Sequence, residues 1–138
     1  MNQVVYVSRK GSTKKVAEFI ARGLGVIPQA IGADTKIEHA ETLFVGGALY
    51  AGKIDGKLRD FLQKLSGSQV DRVAVFSTSA GGKTIVSEVK SILEPKNIKV
   101  ADESFHCKGA FLFINGDRPN EEDLKHAEDF ARKVIQQS

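Results

Sequence analysis

The chain has 138 residues, a length that suits one domain, and its 41% hydrophobic and 27% charged residues are those of an ordinary soluble globular protein able to build a core without a metal or disulfide staple. The formal net charge is only +3, the lysines are spread along the chain rather than massed, and basic residues do not interleave with aromatic ones, which argues against nucleic acid as a partner. Its one cysteine, Cys107, has no internal disulfide partner and fits a reducing compartment. The opening MNQVVYVSRKG lacks the basic-then-apolar pattern of a signal peptide, and no apolar run approaches the roughly 20 residues that span a bilayer, so a soluble cytoplasmic protein with no membrane partner is expected.

Short apolar runs alternate with amphipathic segments along the chain. Gln3 to Ser8 (QVVYVS) is β-branched and aromatic, the pattern of a strand. Val16, Phe19, Ile20, Gly23 and Leu24 then recur at helical spacing, predicting a helix over about 13–24 with one buried face. Pro28 to Ile31 is a weak second strand, and Leu43 to Leu49 (LFVGGAL) a third. Leu58, Phe61, Leu62 and Leu65 at i, i+3, i+4, i+7 mark a second helix. Asp71 to Ser77 (DRVAVFS) is a fourth strand, and Ile85, Val86, Val89, Ile92 and Leu93 give a third helix closed by Pro95. A fifth strand is read at Lys99 to Lys108, followed by a loop containing Gly109 and Gly116. Pro119 to Asp123 forms the acidic first turn of a last helix, whose apolar face is Leu124, Ala127, Phe130, Ala131 and Val134. Several strands are apolar on consecutive residues, as strands buried on both faces are. The expected core is therefore a parallel sheet with helices on each side, in one doubly wound α/β domain.

In such a sheet, ligands bind beyond the carboxyl ends of the strands, where strand order reverses. Three loops are placed there. Ser8 to Thr13 (SRKGST) combines hydroxyls, a glycine and a helix N-terminus, a natural phosphate cradle to which Arg9 and Lys10 add charge. It is also readable as an ordinary strand-to-helix turn with Ser12 as N-cap. Ala48 to Gly56 sets Tyr50 beside glycines just past a buried strand, either a stacking platform for a planar ligand or a half-buried loop residue. Ser77 to Thr84 (STSAGGKT) ends like a Walker A motif in Gly82-Lys83-Thr84, but Ser77 stands where that motif opens with glycine. The other reading is that its small residues let backbone groups reach the edge of a flat heterocycle.

Together the three loops resemble those of the flavodoxin family, over about Gln3 to Ile135. That family's phosphate loop is a [ST]-x-[ST]-G-x-T run after the first strand, and Ser8, Gly11 and Thr13 match it. The V-Y-V-S lead-in, the K-K-V-A-E helix start (Lys14 to Glu18), and V-G-G-A-L-Y followed by K-L-R-D-F-L (Lys57 to Leu62) are also similar. C-K-G at Cys107 to Gly109 and R-P-N-E-E-D-L at Arg118 to Leu124 resemble compact members, and no long insertion interrupts the fifth strand.

The resemblance implies one domain over residues 1–138, a three-layer α/β sandwich whose five-stranded parallel sheet has the order 2-1-3-4-5. It implies FMN held non-covalently, with Ser8, Arg9, Lys10, Gly11, Ser12 and Thr13 on the phosphate. Gly47, Ala48, Leu49, Tyr50, Ala51 and Gly52 would flank the isoalloxazine, Tyr50 stacking on one face. Thr78, Ser79, Ala80, Gly81 and Gly82 would line its pyrimidine edge with backbone N–H groups. Electrons would pass to a redox partner protein or a small-molecule acceptor, the chemistry being the flavin's. No metal or catalytic residue is implied. His39, His106 and His126 are scattered and read as surface or satisfied core residues, and Cys107 as a small buried thiol.

Three departures stand out. Lys10 replaces a hydroxyl residue of the phosphate signature. No aromatic lies between Ser77 and Lys83, which leaves the second flavin face open to a small substrate such as a quinone. Electron carriers of the family are acidic whereas this chain is basic, so docking onto basic reductase surfaces is not expected. The readings carried forward are an FMN-dependent electron carrier; a small FMN-dependent oxidoreductase of quinone or protoporphyrinogen type; a fold-only module that has lost tight FMN binding; and a nucleotide triphosphatase built on Gly82-Lys83-Thr84.

Overall fold

The computed structural model describes residues 1–79, 81–109 and 118–137. Five parallel strands form the sheet: β1 (Asn2–Tyr6), β2 (Gln29–Ala30), β3 (Ala40–Tyr50), β5 (Val70–Ser79) and β6 (Val100–Lys108). Their spatial order is β2-β1-β3-β5-β6, the expected 2-1-3-4-5 once a two-residue strand, β4 (Lys53–Ile54), is set aside. That strand was not anticipated; it folds back antiparallel on β3, pairing Tyr50 with Lys53. The turn between them places both Ala51 (φ 51°) and Gly52 (φ 79°) in the left-handed region, the geometry of a two-residue hairpin.

Alternation along the strands divides the core in two. Val5, Leu43, Val45, Val73 and Val75 face one side, where they meet Leu58 and Leu62 of α2 (Gly56–Lys64) and Val89 and Leu93 of α3 (Val86–Leu93). Val4, Tyr6, Phe44, Ala74, Phe76 and Phe105 face the other. There they meet Val16, Ala17 and Ile20 of α1 (Ser12–Leu24) and Ala127, Phe130 and Val134 of α4 (Glu121–Gln136). Each fully buried Leu, Ile, Val or Phe contributes about 1.5–3 kcal/mol relative to exposure, so these two layers are the main stabilising term. Phe130 packs edge-on to Phe44, ring centroids 5.9 Å apart. Gly46 lets the Phe76 ring lie directly on β3: a Cβ there would come within 2.0 Å of it.

The helices begin and end where the sequence places them, within one or two residues. Pro95 sits in a short 3₁₀ turn (Glu94–Lys96) that ends the third helix. The acidic start of α4 is a capping box: Asn120 Oδ1 accepts from Asp123 N, and Asp123 Oδ2 accepts from Asn120 N, both at 2.9 Å. Arg118 donates to both oxygens of the Asp123 carboxylate. Its hydrogen bond, joined by that of Asn120 N and opposed by burial, holds the Asp123 carboxyl below the usual range. Residues 31–39 connect β2 to β3 without a helix, with Ile31 and Ile37 buried under the connection. Gly116 lies outside the described residues. No helix among the described residues is long and apolar enough to cross a membrane.

Candidate functional site

All five parallel strands point their carboxyl ends the same way, and β1 and β3 leave the sheet toward opposite faces. The crevice between their loops is where this architecture takes ligands. The β1–α1 loop is held by Ser8, whose Oγ accepts from Gly11 N at 3.0 Å. Gly11, at φ 94°, turns the chain into the helix and is itself the N-cap. The expected cap, Ser12, is instead the first helical residue and is buried. A glycine cap has consequences. The first N–H groups of a helix have no partner within it, and a glycine cap has no side chain of its own to offer them. The first turn carries no acid, and Lys14 and Lys15 are exposed on it. This is an anion site by geometry and by charge. A buried hydrogen bond between Thr13 Oγ1 and Thr78 Oγ1, 2.7 Å long, ties the loop to the end of β5. Gly109 closes against it, since a Cβ there would lie 2.8 Å from the Ser12 Cβ.

Tyr50 ends β3 half-buried, and its surroundings were only partly foreseen. The Arg9 guanidinium lies over its ring, Cζ 3.8 Å from the centroid, a contact worth about 0.5–1 kcal/mol at a solvent-accessible position. Arg9 N–H also donates to the Tyr50 hydroxyl at 3.3 Å. Arg9 Nε is 2.9 Å from Asp55 Oδ2, while Asp55 Oδ1 caps α2 by accepting from Lys57 N at 2.8 Å. Burial pushes the Asp55 carboxyl up, but the hydrogen bonds from Lys57 N and Arg9 and the nearby positive charges outweigh it, and the net shift is downward. Burial also raises the Tyr50 phenol, against the Arg9 interactions, so the hydroxyl stays protonated. Arg9 thus lies on the Tyr50 ring and is paired with Asp55. Asp55 was missed as a site residue, although an Asp just before the periodic run beginning at Leu58 is a readable N-cap signal.

The β5–α3 loop is built differently. Ser77 Oγ, buried in the sheet, accepts from Ile85 N at 3.3 Å, and Thr84 Oγ1 accepts from Val86 N at 3.4 Å. Side chains thus bond N–H groups at the start of α3, and Glu88, paired with Arg59, places an acid in its first turn. Gly82 N donates to Ser79 Oγ at 2.7 Å, so that N–H, expected on a ring edge, is engaged within the loop. Ser79 Oγ is also 2.8 Å from His106 Nε2. Burial lowers the His106 pKa and favours the neutral ring, which can accept the Ser79 hydrogen. Gly81 is exposed with open space beside it. Ala80 lies outside the described residues.

Ser8, Lys10, Ser12, Thr13, Ala48, Leu49, Tyr50, Thr78, Ser79 and Gly109 line one shallow depression of about 40 Å³, joining parts of all three expected loops. Ala51 and Gly52 sit exposed on the hairpin at its edge. A larger groove of about 780 Å³ lies between the 31–38 connection and Phe61, Lys64 and Leu65 of the α2 region. Its rim mixes Lys36, Lys57 and Lys64 with Glu38 and Asp60, and it holds none of the three glycine-bearing loops. Of the histidines, His39 is exposed beside Asp71 (3.3 Å) and His126 is exposed on α4. Cys107 is buried on β6, its thiol pushed up to about 12 chiefly by burial, with Asp123 adding and Arg118 opposing.

A doubly wound parallel sheet of order β2-β1-β3-β5-β6, with a glycine-capped, cationic helix start at its reversal point, defines a flavodoxin-like α/β class. The flavodoxin domain family matches residues 3–112, and the chain belongs to it. An uncharacterized protein of Methanocaldococcus jannaschii is 29% identical over 138 residues, with 90% of each chain covered. Among solved structures, a flavodoxin from the domain Archaea superposes with a TM-score of 0.77 at 19% identity, covering 99% of this chain and 96% of that one. Oxidised Flavodoxin 2 from Bacillus cereus gives 0.73 at 17% identity, covering 99% of both chains. Rubredoxin oxygen:oxidoreductase from Desulfovibrio gigas gives 0.72 at 16% identity, matching 98% of this chain with 35% of its own. At such identities the structural likenesses speak for the fold.

Proposed function

We propose that this chain binds FMN non-covalently at the carboxyl end of its sheet and carries electrons between that flavin and a redox partner in the cytoplasm. The observation that carries the reading is the start of α1, where Gly11 turns the chain into a helix whose first turn holds no acid and exposes Lys14 and Lys15. Ser8, Lys10, Gly11, Ser12 and Thr13 would hold the phosphate through backbone N–H groups, hydroxyls and one ammonium. Arg9 would act at one remove, fixing the Tyr50 ring against which the flavin stacks, with Asp55 anchoring the guanidinium. Ala48, Leu49, Ala51 and Gly52 would flank the ring system, and Thr78, Ser79, Ala80, Gly81 and Gly82 its polar edge. Bound FMN supplies the electron-accepting ring; the protein's part is to orient it and set its surroundings. The test is direct: the purified protein mixed with micromolar FMN should quench flavin fluorescence and retain a yellow chromophore through gel filtration. Neither effect appearing would end the reading in favour of a fold-only module.

A second reading, a small FMN-dependent oxidoreductase acting on a quinone or a protoporphyrinogen, is favoured by one feature. The third loop carries no aromatic from Ser77 to Lys83, and Gly81 and Gly82 are exposed. Turnover of a soluble quinone with NAD(P)H as the sole reductant separates the two. An enzyme sustains it, and a carrier does so only when a redox protein is added.

A further inference from the structure

Six lysines gather at the ligand end of the molecule. Lys10, Lys14 and Lys15 come from the β1–α1 loop and the first turn of α1, Lys53 from the hairpin and Lys83 from the β5–α3 loop. Lys108 ends β6. All six are exposed. Strand register places Lys53 beside Tyr50 and Lys108 beside Ser79, level with the site. None of the six pairs with a carboxylate in the ion pairs found among the described residues.

Three acids at this end are engaged by arginines, while Glu18, one turn from Lys14 and Lys15 on α1, is exposed. Asp55 is held by Arg9, Glu88 by Arg59 and Asp123 by Arg118. The exposed Glu121 and Glu122, in the first turn of α4, bound the patch on that face. The whole chain holds 20 Lys and Arg against 17 Asp and Glu. Against the six lysines, the exposed acids Glu18, Glu121 and Glu122 at the starts of α1 and α4 are fewer, so this end is net positive among the described residues.

The geometry points to a docking surface for an acidic redox protein, a partner whose own redox centre lies under a carboxylate-rich face. This inference rests on the FMN reading. Any partner that exchanges electrons with the flavin must approach through this rim, and a rim of one sign selects the opposite sign. Steering of this kind raises encounter rates by about 10- to 1,000-fold, with steep dependence on ionic strength. Docking onto a cationic partner would bring like charges together at the point of contact. A nucleic acid would also be attracted, but it has no use for the redox group, and the patch shows no aromatic-basic alternation on which bases could stack.

The test uses one haem in two charge states: cytochrome c, which is basic, and its lysine-succinylated form, which is acidic. The FMN-loaded protein is reduced with dithionite, desalted anaerobically and mixed in a stopped-flow with the ferric haem protein. Each haem reduced takes one electron from the flavin. At about 10 mM ionic strength, where the Debye length is roughly 30 Å, the succinylated form should react at least about tenfold faster than at 150 mM. The rate with native cytochrome c should rise with salt. Lys53→Glu/Lys83→Glu/Lys108→Glu, which leaves the cradle's own residues in place, should reverse both slopes. Equal salt slopes for the two haem proteins, or a triple variant within twofold of the parent, would overturn the docking surface while leaving FMN binding intact.

If instead no flavin is retained, amide NMR of the protein alone still reads the surface. Succinylated cytochrome c at low salt should shift Lys10, Lys14, Lys53 and Lys83, and shifts centred elsewhere would overturn the inference. So would a DNA duplex that perturbs these amides more strongly than the acidic protein does.

Discussion

Two loops of this molecule look interchangeable on paper and are opposites in physical terms. Ser8–Thr13 and Ser77–Thr84 both join a buried parallel strand to a helix at the same end of the sheet. Both also hold a left-handed glycine, Gly11 at φ 94° and Gly82 at φ 97°. In the first, the glycine is the cap, its N–H held by Ser8 Oγ, and the first turn is basic and free of acids. In the second, Ser77 holds the N–H of the cap Ile85, Thr84 takes up the first helical N–H at Val86, and Glu88 places an acid in the first turn. A glycine-rich strand-to-helix loop is therefore no phosphate site by composition alone. What matters is the charge that the first turn of the helix carries.

The comparison can be broken. Gly11→Asp places a carboxylate at the helix start and an L side chain at a positive φ, and should weaken FMN about 100-fold by fluorescence titration, roughly 2.7 kcal/mol. Gly82→Asp, equally strained, should weaken it less than about tenfold; equal losses would erase the contrast. A smaller effect is expected where the two loops are joined. Thr13→Val leaves the Thr78 hydroxyl buried without its partner and should cost about 1–3 kcal/mol in urea denaturation. The double variant Thr13→Val/Thr78→Val should recover part of that loss, which would show the pair to be coupled rather than independently placed.

The capping box of α4 extends the contrast to a helix start closed by its own acid. Asp123 has its pKa lowered in the folded state, chiefly by Arg118. Its contribution is therefore full above the ordinary Asp range and is lost as pH falls through the folded pKa. Between pH 7 and pH 3 the parent should lose about 1 kcal/mol more stability than Asp123→Asn, measured by urea midpoints. Least of all, Lys83→Ala should change FMN affinity by less than about twofold, and calorimetry with ATP or GTP should give no binding heat. A saturable ATP signal lost in Lys83→Ala would restore the Walker-like reading of that loop.

The fold was legible because its signals are long or periodic. Consecutive apolar residues at Leu43–Leu49 and Asp71–Ser77 mark strands buried on both faces, and the helical spacing of Val16, Phe19 and Ile20 marks α1. The hairpin at Lys53 escaped because it spans two residues and because Ala51 occupies a left-handed position usually filled by Asn, Asp or Gly. At the site, the hydroxyls and glycine of the first loop could be read from spacing, but the cap could not be placed to the residue. The Arg9–Tyr50–Asp55 cluster joins positions 41 and 46 residues apart, and no local pattern carries such a contact. The engagement of Ser77 and Thr84 with the start of α3 was hidden for a related reason. A hydroxyl in a loop looks the same in sequence whether it faces a ligand or its own backbone.

Cys107 has a use that follows from its position. It lies on β6 in register with Thr78, one strand from the proposed ligand, yet its buried thiol stays protonated at any ordinary pH. Sulfur that close to an electron-handling site would otherwise trap oxidants or join other thiols. Here burial and the raised pKa keep its thiolate scarce, so it reacts slowly while the sheet is closed. A thiol-reactive dye therefore meets Cys107 chiefly in molecules that have transiently opened, and its labelling rate counts those openings. Because a ligand that binds only the closed form suppresses opening in proportion to its occupancy, this one native residue can serve as an internal clock for the domain, with no label engineered into it.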